Sequence, residues 1–346
     1  MTALVAARIL NGEGGISASP AWLVMADARV VATGSGAPPA DAIDLGDALL
    51  APGYVDIQVN GADAVDFAHA SADEIIETID RRVAGGCTAC LPTICSAPLD
   101  TYGAMLDRLA AVRAARPDVV LGVHLEGPFL GGAPGAHPRD LVRLVTLAPE
   151  ADPDFRAVAL LHERGVVVAL GHSTVDYDGA QAAAEAGARL VTHLFNGMAP
   201  LHHRRPGLAG AALDNRRLVP SLIADGVHVH PALLRLALLA RPDAVLVTDA
   251  VATTAPVEAR DGAAYLPDGT LAGSTLTMAG AVQRVVALGA APAAAIRGAT
   301  GNPANAIGAH AYGRISPGAR ADVLALDPET LAVRSVWVGG RAVTSE

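Results

Sequence analysis

The sequence predicts an α/β protein: a (β/α)8 barrel of TIM-barrel architecture, with a small β-sandwich domain formed by both chain termini. Three observations lead there. Eight apolar runs of strand length alternate with Ala-rich helical stretches through the middle of the chain. The polar ends of those runs fall near residues 60, 95, 126, 150, 172, 193, 225 and 249, a mean step of about 27 residues, which suits one strand–helix unit after another in a parallel sheet. The first 50 and the last 35 residues look different, being short β-like runs split by turn signals. Eight units favour a closed barrel over an open doubly wound sheet. No GxGxxG or Walker-type phosphate loop follows the first run, which weakens a nucleotide-binding sheet further.

In chain order, ALVAARIL, NGEGG, AWLVMADARVVATG and GSGAPPA make up the N-terminal β region. GRISPG, ADVLALD and VRSVWVGGRAV make up the C-terminal one. Together, residues 1–50 and 311–346 are expected to form one discontinuous small domain, with residues 51–310 as an inserted barrel. The barrel strands are expected in YVDIQVN, CTACLPTI, DVVLGVHLE, LVRLVTLAPE, GVVVALGHS, ARLVTHL, VPSLIADG and AVLVTDA. In the first of these, Val55, Ile57 and Val59 alternate with Asp56, Gln58 and Asn60. Three polar side chains then share one buried face and need partners, because an unpaired buried group costs about 1–3 kcal/mol.

Composition narrows the function. Of 346 residues, 51% are hydrophobic and only 3% aromatic, so small side chains fill the core. The net charge of −10 argues against nucleic acid as a general partner. It leaves room for a phosphorylated small molecule, which needs only a local basic patch. An odd, low count of three cysteines, Cys87, Cys90 and Cys95, suits a reducing compartment. Cys87-x-x-Cys90 has no second CxxC to complete a zinc site, and its segment reads as a strand with thiols in or near the core. The N-terminus has no signal-peptide pattern, and no run of about 18 uncharged apolar residues occurs. The expected location is the cytoplasm, with no membrane partner.

In a barrel, chemistry belongs at the C-terminal ends of the strands. Those ends carry Gln58 and Asn60, Glu126, His172, His193, Asp225 with His228, and Asp249. A single histidine there is usually just a hydrogen-bonded core residue. Two histidines and a carboxylate from three strands, closed by a further aspartate, match a catalytic zinc set with an open position.

HLEGPFL (124–130), GHS (171–173), THLFNGM (192–198), RRPG (204–207), ADGVHV (224–229), VTDA (247–250) and AGSTLTM (272–278) occur in an order that resembles the N-acetylglucosamine-6-phosphate deacetylases of the amidohydrolase superfamily. ISPGARADVLALD (315–327) is similar to that superfamily's C-terminal β segment. The resemblance spans essentially the whole chain. AGSTLTM alone is weak, since Ser274 could simply cap the following helix.

This resemblance implies a barrel of amidohydrolase type and a metal-dependent hydrolysis of the acetamide of N-acetyl-D-glucosamine 6-phosphate. It implies one divalent ion per subunit, most simply Zn2+, on Glu126, His172 and His193. It makes Asp249 the general base, and His228 the group that polarises the carbonyl or steadies the oxyanion. Many amidohydrolases place His-x-His where this chain has Gln58 and Asn60, and amides are poor zinc ligands. These two are therefore supporting residues, or else a polar layer with no catalytic task. His137, Asn196, Gly197, His228 and Arg204 are the implied substrate contacts, Arg204 for the phosphate. The alternative for Arg204, as for Arg205, is a solvated loop charge, and His202 and His203 could as easily be surface residues. A homodimer is implied, with the neighbouring subunit near the phosphate.

Three alternatives stand beside this reading. The first is the same chemistry on N-acetyl-D-galactosamine 6-phosphate. The second is a non-catalytic, assembly-forming relative, against which the intact ligand set and Asp249 argue. The third is a cyclic amidase or dihydroorotase type, whose two metals share a carboxylated lysine. All 25 basic residues of this chain are arginine, so that bridge is impossible here.

Overall fold

The computed structural model describes residues 1–127 and 141–343. Eight parallel strands form one sheet in sequence order: β1 (Tyr54–Val59), β2 (Cys87–Cys95), β3 (Val123–Glu126), β4 (Val142–Leu147), β5 (Val167–Leu170), β6 (Leu190–Val191), β7 (Val219–Ile223) and β8 (Val245–Val247). A parallel bridge between Val59 and Ala250 joins the two edges and closes the barrel. Each of the eight expected strands is present. β1 is buried along its whole length, as both-faced burial in a helix-covered parallel sheet requires.

Helices follow most strands: α1 (Ala72–Ala84), α2 (Tyr102–Ala115), α3 (Arg156–Glu163), α4 (Tyr177–Ala186), α5 (Gly207–Asp214), α6 (Pro231–Ala240) and α7 (Met278–Ala287). Between β3 and β4 the described residues contain no helix. Local chemistry fixes several starts. Ser71 and Glu74 form a reciprocal capping box at α1, with Ser71 N donating to Glu74 Oε2 (2.8 Å) and Glu74 N to Ser71 Oγ (3.3 Å). Asp176 caps α4, and His230 caps α6 ahead of Pro231. The cap of α7 is Thr277, which accepts from Gly280 N. Ser274, the expected cap, instead lies in a strand and donates to Thr248 O (2.5 Å).

The chain divides into two compact units, one made of Met1–Asp56, Ile79–Ala89 and Thr277–Glu346, the other of Ile57–Thr78 and Cys90–Leu276. The first contains a four-stranded and a five-stranded sheet. In the second of these, Leu49–Pro52 pairs antiparallel with Val323–Leu326, so chain from both ends shares one sheet. Leu4, Leu23, Met25, Leu50, Val323 and Trp337 belong to one buried cluster there.

The second unit holds an element that the sequence pattern did not signal, a three-stranded antiparallel sheet of Glu258–Arg260, Ala263–Tyr265 and Leu271–Ser274. No described helix is long and apolar enough to cross a membrane.

Candidate active site and metal centre

The C-terminal strand ends of the second unit open into a cavity of about 870 Å³. Glu126 ends β3, and His172 and His193 lie two residues beyond β5 and β6. Their tips meet: His172 Nε2 is 3.0 Å and His193 Nε2 2.9 Å from Glu126 Oε1, and the two Nε2 atoms are 3.0 Å apart. Among the described residues this is the one cluster of three or more potential ligands that could hold a metal ion. Burial opposes charge on both Glu126 and His193. The Glu126 hydrogen bond and charge outweigh it for His193, lifting it to about 9, and hydrogen bonds from His172 and then His193 hold Glu126 well below the carboxylate range. His193 Nδ1 is buried without a hydrogen-bond partner, so the ring's polar contacts run through Nε2.

The residues fit a divalent ion. A tetrahedral ion with N and O ligands at about 2.0–2.1 Å has ligand–ligand edges of about 3.3 Å. The three edges here are all 2.9–3.0 Å, so a small outward movement makes room. One carboxylate oxygen and two imidazole nitrogens are also the donor types such ions take.

Asp249 faces the same cavity. Its Oδ1 accepts from Gln58 Nε2 (3.1 Å) and Asn60 Nδ2 (2.9 Å). Gln58 Nε2 also donates to Glu126 Oε2 (2.9 Å). The polar face of β1 thus has its partners: Gln58 and Asn60 bind the two carboxylates of the site, while Asp56 accepts from Arg82 Nη2 at 2.6 Å. Burial, and then the negative charge of Glu126, raise the Asp249 carboxyl to about 6.

His228 also lines the cavity. Its Nδ1 is 2.5 Å from Asp225 Oδ2, and Asp225 Oδ1 accepts from the backbone N–H groups of Val227 and His228. Burial opposes ionisation of Asp225, but the His228 hydrogen bond and charge prevail and keep its carboxyl low.

Three site residues have left-handed backbones: His172 (φ 49°), His193 (φ 30°) and Asp249 (φ 49°). Such conformations cost non-glycine residues about 1–3 kcal/mol each and cluster at functional sites. Direct hydrogen bonds hold two of them. His193 N donates to Ser221 Oγ, and Asp249 N to Gln58 O.

Asn196 and Gly197 line the cavity as well. Gly197 has φ +58°, and a Cβ there would fall 2.8 Å from His172 Nδ1. This glycine therefore leaves room for the His172 ring. Arg204 does not line this cavity. It is exposed, along with Arg205, His202 and His203, and Arg204, Arg205 and His202 line a separate cavity of about 770 Å³. His137 lies outside the described residues.

Sequence reasoning missed several neighbours. Cys87 and Cys90 are buried as expected, but Cys95 is exposed in the cavity, with Sγ 3.2 Å from Asn60 Oδ1. Below the site, Thr93, His124, Thr146 and Thr192 form a buried hydrogen-bonded chain. Burial lowers His124 to about 4, so it is neutral there. Residues 269–273 of the three-stranded sheet, the strand that begins at Leu271 and the two residues before it, line the cavity too. His124 at two residues before Glu126, on the same strand face, was the one available signal.

A (β/α)8 barrel with a carboxylate–histidine–histidine cluster at its strand ends, faced by a separate carboxylate, defines the class of metal-assisted hydrolases built on this fold. Residues 49–343 match the sequence profile of the Amidohydrolase family, and the chain belongs to that family. It is 36% identical to the N-acetylglucosamine-6-phosphate deacetylase of Bos taurus over 347 aligned residues, covering 87% of this chain and 84% of the relative. It is 37% identical to the N-acetylgalactosamine-6-phosphate deacetylase of Escherichia coli O157:H7 over 329 residues, covering 85% and 87%. Its fold is similar to that of a variant N-acetyl-D-glucosamine-6-phosphate deacetylase from Mycobacterium smegmatis solved with N-acetyl-D-glucosamine-6-phosphate. The TM-score is 0.90 at 34% identity, over 99% of each chain.

Proposed function

We propose that the protein is a metal-dependent deacetylase. It hydrolyses the acetamide of N-acetyl-D-glucosamine 6-phosphate to D-glucosamine 6-phosphate and acetate, as part of cytoplasmic amino-sugar metabolism. One observation carries this reading: the Glu126, His172 and His193 tips converge within 3.0 Å in a cavity that Asp249 also faces. Residues 51–310 act as the catalytic barrel, and residues 1–50 with 311–346 as its small β domain.

Glu126, His172 and His193 would hold one ion, Zn2+ by donor type. When bound, it makes hydroxide available near neutral pH and polarises an amide carbonyl. Asp249 takes the proton of the attacking water and passes it to the departing amine, which leaves poorly without it. Gln58 and Asn60 occupy Oδ1, which leaves Oδ2 for that transfer. Burial raises this carboxyl, so it holds the proton between the two steps more readily than a solvated aspartate does.

His228 Nδ1 is engaged by Asp225. A proton offered from Nε2 to the developing oxyanion therefore makes the ring cationic, and Asp225 balances that charge. Such a donor is worth about 3–4 kcal/mol. Asn196 and Gly197 contact the substrate, as does His137.

The described lining of the cavity includes no arginine, yet a phosphate dianion calls for charged donors. Arg204 supplies this contact, either in its own subunit or in the neighbouring one of a homodimer.

A second reading keeps the chemistry and changes the epimer to N-acetyl-D-galactosamine 6-phosphate. The Escherichia coli O157:H7 relative, at 37% identity, favours it, while the Bos taurus and Mycobacterium smegmatis relatives favour glucosamine. Acetate release from both 6-phosphorylated epimers and from unphosphorylated N-acetylglucosamine tests the proposal. The glucosamine phosphate should turn over fastest. No acetate from any of the three by zinc-loaded protein would overturn the reading.

A further inference from the structure

The three left-handed site residues are not held alike. His193 is packed, with its side chain only 5% exposed, and its N–H is bound to Ser221 Oγ. Asp249 is bonded through both its N–H and its C=O, to Gln58 O and from Ser274 N. The His172 side chain is 58% exposed, and no hydrogen bond to its own backbone occurs among the described residues. These contacts do not account for how an exposed ring on a left-handed backbone stays aimed at Glu126.

The answer lies in the next two residues. Glu150, in the turn Pro149–Ala151 after β4, faces the segment that follows His172. Its Oε2 accepts from Ser173 Oγ (2.7 Å). Its Oε1 accepts from Thr174 N and from Thr174 Oγ1, the latter at 3.0 Å. Ser173 is 1% exposed, and its Oγ in turn accepts from Val175 N (3.0 Å). One carboxylate thus gathers three donors from two consecutive residues, and Ser173 carries the bracing on into the entry to α4. On the other side of the ring, Gly197 leaves no space for a Cβ beside His172 Nδ1. The imidazole has a wall on one side and a braced backbone beneath it.

We infer that Glu150 is a positioning residue for the ligand histidine: by clamping Ser173 and Thr174 it fixes the backbone that aims His172 at the metal position. This rests on the reading of Glu126, His172 and His193 as the ligand set. Partners one step removed from a metal typically change its affinity by about 10–100-fold when lost. Glu150 is exposed, so its replacement should leave the fold intact.

The test measures Zn2+ dissociation constants by chelator competition for the wild type, Glu150→Ala, Glu150→Gln and His172→Ala. It adds the visible spectrum of each protein loaded with Co2+ and the melting temperature of each without metal. Glu150→Ala should weaken Zn2+ by about 10–100-fold and alter the Co2+ ligand-field bands, with the metal-free melting temperature unmoved. Glu150→Gln keeps a carbonyl oxygen for Thr174 and should recover most of the affinity. If His172→Ala weakens Zn2+ while Glu150→Ala changes neither affinity nor spectrum, the clamp is refuted and the ligand set stands. If His172→Ala also binds Zn2+ like the wild type, both fail. A loss in Glu150→Ala accompanied by an equal fall in metal-free melting temperature, and not recovered by Gln, would mark Glu150 as merely structural and overturn the inference.

Discussion

Two aspartates meet the same buried strand and are handled in opposite ways. Asp56, on β1 itself, is fully buried and paired with the Arg82 guanidinium at 2.6 Å. Asp249, beyond β8, receives neutral amide donors from Gln58 and Asn60 of that strand segment. A cationic partner favours the charged carboxylate and makes it a weaker base, whereas burial beside another negative charge makes it a stronger one. The amides fix the position of Asp249 without cancelling its charge, and its carboxyl rises to about 6. One strand therefore carries an ion pair towards its start and, at its end, the amides that hold the carboxylate proposed as the base, the division expected between the two faces of such a barrel.

The largest effect that could break this comparison is loss of the base. Asp249→Asn should lower kcat by about 10²–10⁴-fold with metal content unchanged, read by stopped assays and elemental analysis on one preparation. Full activity would remove Asp249 from the proton path.

Arg82→Ala should do the reverse. It leaves Asp56 buried without its counter-charge, a change that typically costs about 3–5 kcal/mol. Denaturant unfolding should report that loss while kcat of the folded fraction stays near wild type.

Arg204→Ala probes the proposed anion contact, for which the described lining of the cavity offers no arginine. Losing a charge-assisted contact of about 1.5–3 kcal/mol should raise KM for the phosphorylated substrate by about 10–100-fold and leave the unphosphorylated sugar unaffected.

The smallest effect is on pH. Asp249 acts deprotonated, so kcat/KM should fall as pH drops below its pKa. A cation on the Glu126 cluster can only lower that pKa, so the acid limb should lie no higher than about 6. Asn60→Asp adds a like charge and should move the limb upward. A limb unmoved by that change would mean the pair at β1 does not govern the base.

Much of this was legible beforehand, because a strand buried on both faces writes itself as an apolar run and its functional end as a polar interruption. Glu126, His172, His193 and Asp249 stood out for that reason. The partners of Gln58 and Asn60 did not, since alternation reveals a shared face but not what lies across the barrel. Glu150 and Ser173 are 23 residues apart, of types common on any surface, and only the fold brings them together. The sheet of residues 258–274 has strands of three or four residues, too short for any period to emerge. Cys95 ends a run that is otherwise buried, and no residue type marks where such a run turns outward. Ser274 and Thr277 are equally good caps by type, so only backbone geometry separates them.

Metal stoichiometry probes the centre most directly. Protein equilibrated with Zn2+ and freed of excess should retain one ion per chain, and His193→Ala should retain none. Two ions in the wild type, showing that Gln58 and Asn60 do not stand in a second cation's place, would contradict the account, as would one ion still held by His193→Ala.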